Sequence, residues 1–595
     1  MNVARGELSS PRSAAITMDP GSILQLVAAS TTALQDCLKA YKFIHTAQHF
    51  GEDEQLLRIK FFVEEDRLKC WAGKAGLPNA PLGRLNWRTV KTLLGEQEHQ
   101  IKDARGLRDR YARVSPEEAI DSEAPSGLSV NAPPSGVLDG VARWGRKRSM
   151  SNPTGRRSSE LLKRMQWAAV GKERMTTVIG HISSLNDSLY RMLDLASRED
   201  VHDSLQALLR DAVSRCTSAS EMAELQKALR PVVSNDTAAL GAAMHVRGMF
   251  LRLESESPQA PAGSQGDLQV KLKDERHLIT ARGSPRRGLE VCQYRGLPII
   301  VEWRHVGEGG EAMWAQLQGP MHELALLLGH VQDRAFHTLA CTGLFEIPAR
   351  RLYGLAFTLP ACATSPSPSP SLIPVALHTL LRSVSRAPLA DRIRAAQEVT
   401  EAVLQLHTAG WLHKGLCSDT LVFFRAGGDT SAAAENPLQA GPYLFGYQDS
   451  RPAAQAALTQ MPAKASEWDL YRHPDARGAN RRCFRRGFDL YSLACLLVEL
   501  ATWKPLKELL EGVTPSGSNG SLGALAATHG SAVPLPSLYD IWETPGFDLG
   551  ILHHVGQGYL DAIKQCLRSA ASRSHDDASL QDQNEVLRNL RRCKP

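Results

Sequence analysis

Two different periodicities divide this chain. From about residue 18 to about residue 230, apolar side chains recur every three or four positions, the spacing of packed helices. From Pro231 onward that signal fades, and strand-like runs alternate with helix-like ones. The expected fold class is therefore multi-domain: an all-α bundle over 18–230, a linker over 231–275 and an α+β module over 276–595. In the bundle, Ile23, Val27, Leu34, Leu38 and Tyr41 mark a first helix, and Leu56, Ile59, Val63 and Cys70 a second. Leu94, Ile101 and Tyr111 mark a third, and a fourth begins near Ser158. Met175, Ile179, Ile182, Leu189 and Leu193 form the clearest stripe, and Leu205, Leu208, Leu209 and Val213 a sixth. Such stripes are packing faces, not ligand boxes. Thr237 to Leu253 reads as one further helix, and Glu254 to Asp267 is a Ser/Pro/Gly/Ala tether.

At 595 residues the chain has room for two or three domains, and 43% hydrophobic content is ordinary for globular protein. A net charge of +6 is too mild to point to nucleic acid, and none is expected as a partner. The eleven cysteines lack C-x-x-C pairs, and Cys37, Cys495 and Cys566 lie in apolar runs, the usage of reduced, buried thiols. Residues 1–17 hold no apolar run of signal-peptide length and are expected to be disordered, with Met18 a candidate start. No window approaches eighteen uninterrupted apolar residues. The expected location is cytoplasmic, with recruitment to a membrane on activation. Between the third and fourth helices the chain is polar from Ser115 to Ser159 and ends basic, with Arg143, Arg146, Lys147, Arg148, Arg156 and Arg157. That cluster is a candidate contact for anionic lipid, at ~1 kcal/mol per charge, or for an anionic partner; a solvated loop is the plainer alternative. Ser149 follows Arg146-Lys147-Arg148, so a phosphate there would cancel part of the local positive field.

In the second half, an amphipathic helix from Ala390 to Gly410 precedes Leu412-His413-Lys414-Gly415-Leu416-Cys417-Ser418-Asp419-Thr420, and a strand from Thr420 to Phe424 follows it. The segment resembles the catalytic loop of protein kinases, H-R-D-L-x-x-x-N, with Gly415 at the position of the Asp and Thr420 at that of the metal-binding Asn. Tyr443-Leu444-Phe445-Gly446 resembles D-F-G with Leu444 in place of the magnesium-binding Asp. Val301-Glu302-Trp303-Arg304 falls where V-A-I-K would stand, so Arg304 takes the position of the phosphate-pairing lysine, without its ammonium geometry. Glu323, in the apolar helix Met321 to Leu328, is the candidate partner of that position. Tyr471-Arg472-His473-Pro474-Asp475 resembles the kinase substrate-loop anchor, and Phe488-Asp489-Leu490-Tyr491-Ser492 the start of the helix that follows it. The resemblance implies a bilobal kinase-like fold in which Asp489 holds the loop backbone, His413 is retained, and no catalytic group remains. Between Ile279 and Gly296 there is no G-x-G-x-x-G, so no nucleotide or other cofactor is expected, and His413 and His473 are read as packed histidines and not metal ligands.

The first half resembles a second family. The opening Ser22 to Phe50 helix, the Gly51-Glu52-Asp53 turn and Arg67-Leu68-Lys69-Cys70-Trp71-Ala72-Gly73-Lys74 are similar to the start of a fungal HeLo domain. Met165-Gln166-Trp167-Ala168-Ala169-Val170 and Ser188-Leu189-Tyr190-Arg191-Met192-Leu193 are similar to its later part. The resemblance implies a heterokaryon-incompatibility or prion-controlled effector whose bundle perturbs membranes through its first helix, although Asp36, Lys39 and Lys42 charge that helix here. Taken together, the two resemblances imply a cell-death or signalling effector in which a dead kinase-like domain controls the bundle. A protein partner or upstream receptor and self-association accompany that reading. The alternatives are an atypical kinase working through Asp419 and a non-toxic binding scaffold.

Overall fold

The computed structural model describes residues 20–45, 52–77, 85–112, 172–229, 238–255, 271–280, 289–306, 310–331, 333–360, 372–383, 385–426, 437–452, 467–478, 481–511, 535–572 and 580–593. The basic residues Arg146, Lys147, Arg148, Arg156 and Arg157, the fourth helix expected near Ser158 and the Ser/Pro run 365–371 lie outside them. Two compact units are formed, Met1–Leu205 and Gln206–Pro595.

In the first unit, α1 (Pro20–His45) packs along α3 (Trp87–Ala112), and α4 (Lys172–Arg191) packs on both α3 and α2 (Glu52–Ala75). The three- and four-residue stripes become the core: Val27, Leu34 and Tyr41 meet Phe61, Leu68 and Trp71, Val90, Leu94 and Ile101, and Ile182 and Leu189. A polar chain runs through it. Gln97 donates to Asn186 Oδ1 at 3.0 Å, and Asn186 Nδ2 donates to Glu64 Oε2 at 2.8 Å and to the Glu64 carbonyl at 2.9 Å. Arg67 closes the chain, donating to Glu64, to Ser183 Oγ at 3.0 Å and to Asp187. The buried Gln97, Asn186 and Glu64 side chains are thus linked donor to acceptor, so the network specifies helix register where apolar packing alone would tolerate slippage. The Gln35–Lys42 stretch of α1 sorts by face: Lys39 and Lys42 are exposed, while Cys37 and Tyr41 are fully buried.

The division between units falls inside α5 (Leu195–Arg215). The second unit then begins with the rest of α5 and includes α6 (Ala219–Leu229) and α7 (Ala238–Ser255). The expected linker at 231–275 thus contains a helix with Leu240, Met244, Val246, Phe250 and Leu251 buried. A six-stranded sheet follows in the order β1-β5-β6-β4-β3-β2, from Leu272–Lys273, Cys341–Ile347, Leu352–Thr358, Leu297–His305, Leu289–Tyr294 and Leu278–Thr280. All neighbours are antiparallel except β1, which runs parallel to β5. Strand β4 is buried on both faces. Ile299, Val301 and Trp303 pack with Cys292 and Phe345 on one side, and Ile300 joins the main core on the other. Helix α8 (Gly310–His330) packs on β5 and contacts α7.

The remainder is mainly helical. Helix α9 (Leu377–Ser383) follows β7 (Leu372–Ala376), and α10 (Leu389–Thr408) leads through β8 (Trp411–Leu412) into the 413–420 loop. Strand β9 (Leu421–Ala426) lies between β7 and β10 (Tyr443–Leu444), and β11 (Arg451–Pro452) pairs with β8. Helix α11 (Arg486–Thr502) is buried along nearly its whole length and is followed by α12 (Leu506–Glu511), α13 (Leu538–Trp542), α14 (Phe547–Val555), α15 (Gln557–Ala571) and α16 (Leu580–Arg591). Helices α10, α11, α15 and α16 pack on one another and carry the helical part of the core. The second unit is therefore a mixed, curled sheet joined to a helical layer.

Candidate functional site

The 413–420 loop is fixed from its backbone outward. Asp489, in the first turn of α11, is fully buried. Its Oδ2 accepts from the His413 N–H and its Oδ1 from the Lys414 N–H, both at 2.8 Å. Lys414 adopts φ 64°, a left-handed conformation that a non-glycine residue keeps only when its surroundings impose it. The same carboxylate lies 3.1 Å from His407 Nε2, and His407 Nδ1 lies 2.7 Å from Gln583 Oε1 on α16. Within the loop, Gly415 N–H donates to His413 Nδ1 at 3.2 Å, and Thr420 Oγ1 accepts from Cys417 N–H at 3.0 Å. The Thr420 hydroxyl faces the Gly415 and Cys417 carbonyls, each at 3.0 Å. It serves as an internal brace.

A second chain supports the far side of the loop. Ser418 Oγ and Tyr471 OH are 2.7 Å apart, and Tyr471 OH donates to Glu499 Oε1 at 2.5 Å. Glu499 also accepts from the Leu506 N–H at 2.7 Å, yet full burial pushes its carboxyl up to about 8. His473 stacks on Phe488 at 4.5 Å, and burial lowers its imidazole to about 4. Asp419 accepts from Trp468 Nε1 at 2.8 Å.

The sheet meets this loop through the 443–449 segment. Leu444 pairs with Leu421 and is buried in the main core. Gly446 has φ 89°, and a Cβ there would meet Thr420 Cγ2 at 2.5 Å, so both conformation and space require glycine. From β4, Glu302 Oε2 accepts from the Gly446 N–H at 3.0 Å and Oε1 from the Gln448 N–H at 2.8 Å. Arg304, two residues on and therefore on the same face, donates to the Gln448 carbonyl and lies 4.0 Å from Asp449. Burial, then the nearby Arg451, Arg304 and Arg472, bring the Lys414 ammonium down to about 8 against the opposing pull of Asp449.

His413, Gly415, Thr420, Leu444, Asp489 and Arg304 are thus gathered around one junction. Glu323 is not part of it: it sits in α8, where burial and Glu254 raise its carboxyl, and Arg304 takes Gln448 and Asp449 instead. A magnesium–nucleotide group does not fit these residues. Magnesium needs several oxygen ligands in near-octahedral array. Leu444 offers none, the Thr420 hydroxyl is engaged by the loop, and the β4 carboxylate is held by backbone amides. Glu302, His407 and Gln583 were not singled out in the sequence. The alternation that places Arg304 in the junction places Glu302 there too, and a carboxylate inside the apolar run Ile299–Trp303 was the available signal. Gln583 carries no local signal, being 176 residues from His407.

Residues 25–227 match the HeLo family model, described as prion-inhibition and propagation. From Gln25 onward the match covers the segments that resembled that family, and it runs past the first compact unit into α6. No curated protein matches the chain.

Proposed function

We propose that this protein is a cytoplasmic signalling or cell-death effector of the heterokaryon-incompatibility type, in which a kinase-like module without phosphotransfer controls a helical, membrane-active bundle. The observation that carries the reading is the HeLo match over residues 25–227, a domain linked to fungal prion inhibition and heterokaryon incompatibility. Support for the kinase-like half comes from the order of its fragments and from the Asp489 carboxylate on the His413 and Lys414 amides. Support for its inactivity comes from Gly415, Thr420 and Leu444, which together leave neither a proton acceptor nor a metal ligand at the three reacting positions. A protein partner or upstream receptor acts on the module, and self-association amplifies the response.

The test is expression of the full chain and of residues 18–230 in fungal cells, with viability and dye release from anionic vesicles as readouts. The shorter chain is expected to be toxic and to release dye, and the full chain to do neither until activated. Phosphate transfer to a generic substrate is expected to stay at background in the wild type and in Gly415→Asp. Harmless expression of the shorter, folded chain favours a binding scaffold. Wild-type transfer abolished by Asp419→Ala favours an atypical kinase.

A further inference from the structure

The hairpin between β3 and β4 turns on Arg295 and Gly296, at φ 51° and 80°. Two left-handed residues in a row make a tight turn that sets its flanking residues side by side, so Tyr294 pairs directly with Leu297. The sheet curls until its two edges, β1 and β2, are joined by the 3-10 turn Glu275–His277. Lys273 of β1 thereby places its ammonium 4.5 Å from the centre of the Tyr294 ring, although β1 and β3 stand first and fifth in the sheet. The Arg295 guanidinium lies 5.4 Å from the same ring, and His277 meets it edge-on at 6.4 Å. These cations converge against their own repulsion. Burial first, then Arg295 and Lys271, lower the Lys273 ammonium against the opposing pull of Cys341. Among the described residues no carboxylate bonds Lys271, Lys273 or Arg295: Asp274 is held by Arg276 at 2.7 Å, and Glu290 accepts from Trp303 Nε1 at 2.9 Å. Glu275, in the bridging turn, is exposed and offsets one charge. The residues 281–288 that join β2 to β3 add Arg282, Arg286 and Arg287 to the sequence and no acid. Apolar side chains stand out among the cations. Leu297 is 69% exposed, Ile279 66% and Leu272 58%, three of the seven large apolar residues most exposed among the described ones.

We propose that this end of the sheet, the Lys271–Ile279 segment together with the Tyr294–Leu297 turn, is a docking surface for an anionic membrane. Lys271, Lys273 and Arg295 meet lipid headgroup phosphates, which supply the negative charge that the fold itself withholds from them. Leu297 enters the layer beneath, beside a tyrosine whose apolar ring and polar tip suit the depth of the headgroups. Leu272, Ile279 and Leu297 project separately, from two edge strands and a hairpin. A fluid layer fills around each of them, whereas a folded partner would have to match all three at once. The surface belongs to the second unit and uses neither the helical bundle nor the 413–420 loop, so it goes beyond the function proposed above.

The full-length protein is mixed with vesicles of phosphatidylcholine, alone or with phosphatidylserine, and amide hydrogen exchange is followed at residues 289–298. Exchange there is expected to slow with the mixed vesicles and to stay unchanged with phosphatidylcholine alone. Lys271, Arg295 and Leu297 are all exposed, so their variants are expected to fold, which thermal unfolding checks. Asn tolerates the left-handed backbone at position 295, and each cation near an anionic surface is worth a factor of about five, so Lys271→Gln with Arg295→Asn is expected to raise the lipid needed for half-protection about thirtyfold. Leu297→Asn is expected to retain protection at low salt and to lose what remains at high salt, because apolar burial is not screened. Equal protection by phosphatidylcholine, by inorganic phosphate or by poly-glutamate overturns the proposal, the last in favour of an acidic protein segment. Folded variants that behave as the wild type overturn it as well, and the comparison of vesicles with the wild type decides the matter even where a variant fails to fold. The bundle is tested separately by dye release. Dye release without protection at 289–298 sinks this proposal alone, and protection without dye release sinks only the membrane-active bundle.

Discussion

Asp489 carries more of the loop than its single side chain suggests. Removing it strands two buried backbone donors, and each costs about 1–3 kcal/mol without an acceptor. Asp489→Ala is therefore expected to destabilise the second unit by about 3–5 kcal/mol, with Asp489→Asn intermediate because one oxygen remains; denaturant unfolding reads both. Glu499 makes a different kind of prediction. Its folded carboxyl is raised to about 8 by burial, well above its ordinary value of 4.5. The folded state thus binds the proton more tightly than the unfolded one, and stability falls as pH rises through that window. Below the ordinary value the group is protonated in both states and contributes no slope. Glu499→Gln cannot ionise, so its melting temperature relative to the wild type is expected to climb from pH 5 to pH 9. A pH-independent difference would show that Tyr471 and Leu506 fully offset the burial.

Helix α7 illustrates how far the sequence could be read. Thr237 to Leu253 carried a helical stripe, and the helix spans Ala238–Ser255. Its partners carried no such signal, because Phe250 meets Trp411 edge-on at 5.9 Å, 161 positions further along the chain. Arg247 fills the space over Gly410, where a Cβ would lie 2.4 Å from its guanidinium, and donates to the Cys216 carbonyl at 2.8 Å. Elements such as α10, β4 and β9 were legible from apolar stripes and runs within one stretch of chain, and the 413–420 loop from its resemblance to a known motif. Glu302 and Gln583 were not, because their role exists only once distant segments meet. The expected consequence is that a chain starting at residue 276 lacks part of its own core. Each large apolar side chain of α7 contributes about 1.5–3 kcal/mol by burial, and a domain holds only about 5–15 kcal/mol in all. Residues 206–595 are expected to unfold cooperatively, whereas 276–595 should aggregate or melt several degrees lower. Equal melting of the two fragments would make α7 an ornament.

Among the described residues no helix is long and apolar enough to cross a membrane. A first helix that met lipid would do so through its apolar start, Ile23, Leu24, Leu26 and Val27, but the fold separates these residues. Val27 is 6% exposed in the bundle core, while Leu24 is 57% exposed. Leu24→Asn is therefore the informative substitution, and Val27→Asn would test folding instead. In the full chain, neutralising Arg146, Lys147 and Arg148 is expected to weaken binding to anionic vesicles mainly at low salt, since charge attraction is screened over ~8 Å at physiological ionic strength. Leu24→Asn is expected to lower dye release with recruitment retained. Recruitment indifferent to lipid charge would remove the basic segment from the account. The chain that supports the 413–420 loop also sets an order on synthesis. His407 and Arg210 take Gln583 and Asn584 as partners, so the ribosome must deliver α16 before either is satisfied. Until residue 584 has emerged, a nascent chain holds every recognisable motif of the module and still lacks its closing piece. A chain stopped before α16 is therefore expected to keep its motifs and still lack the partners of His407 and Arg210, so that it folds incompletely.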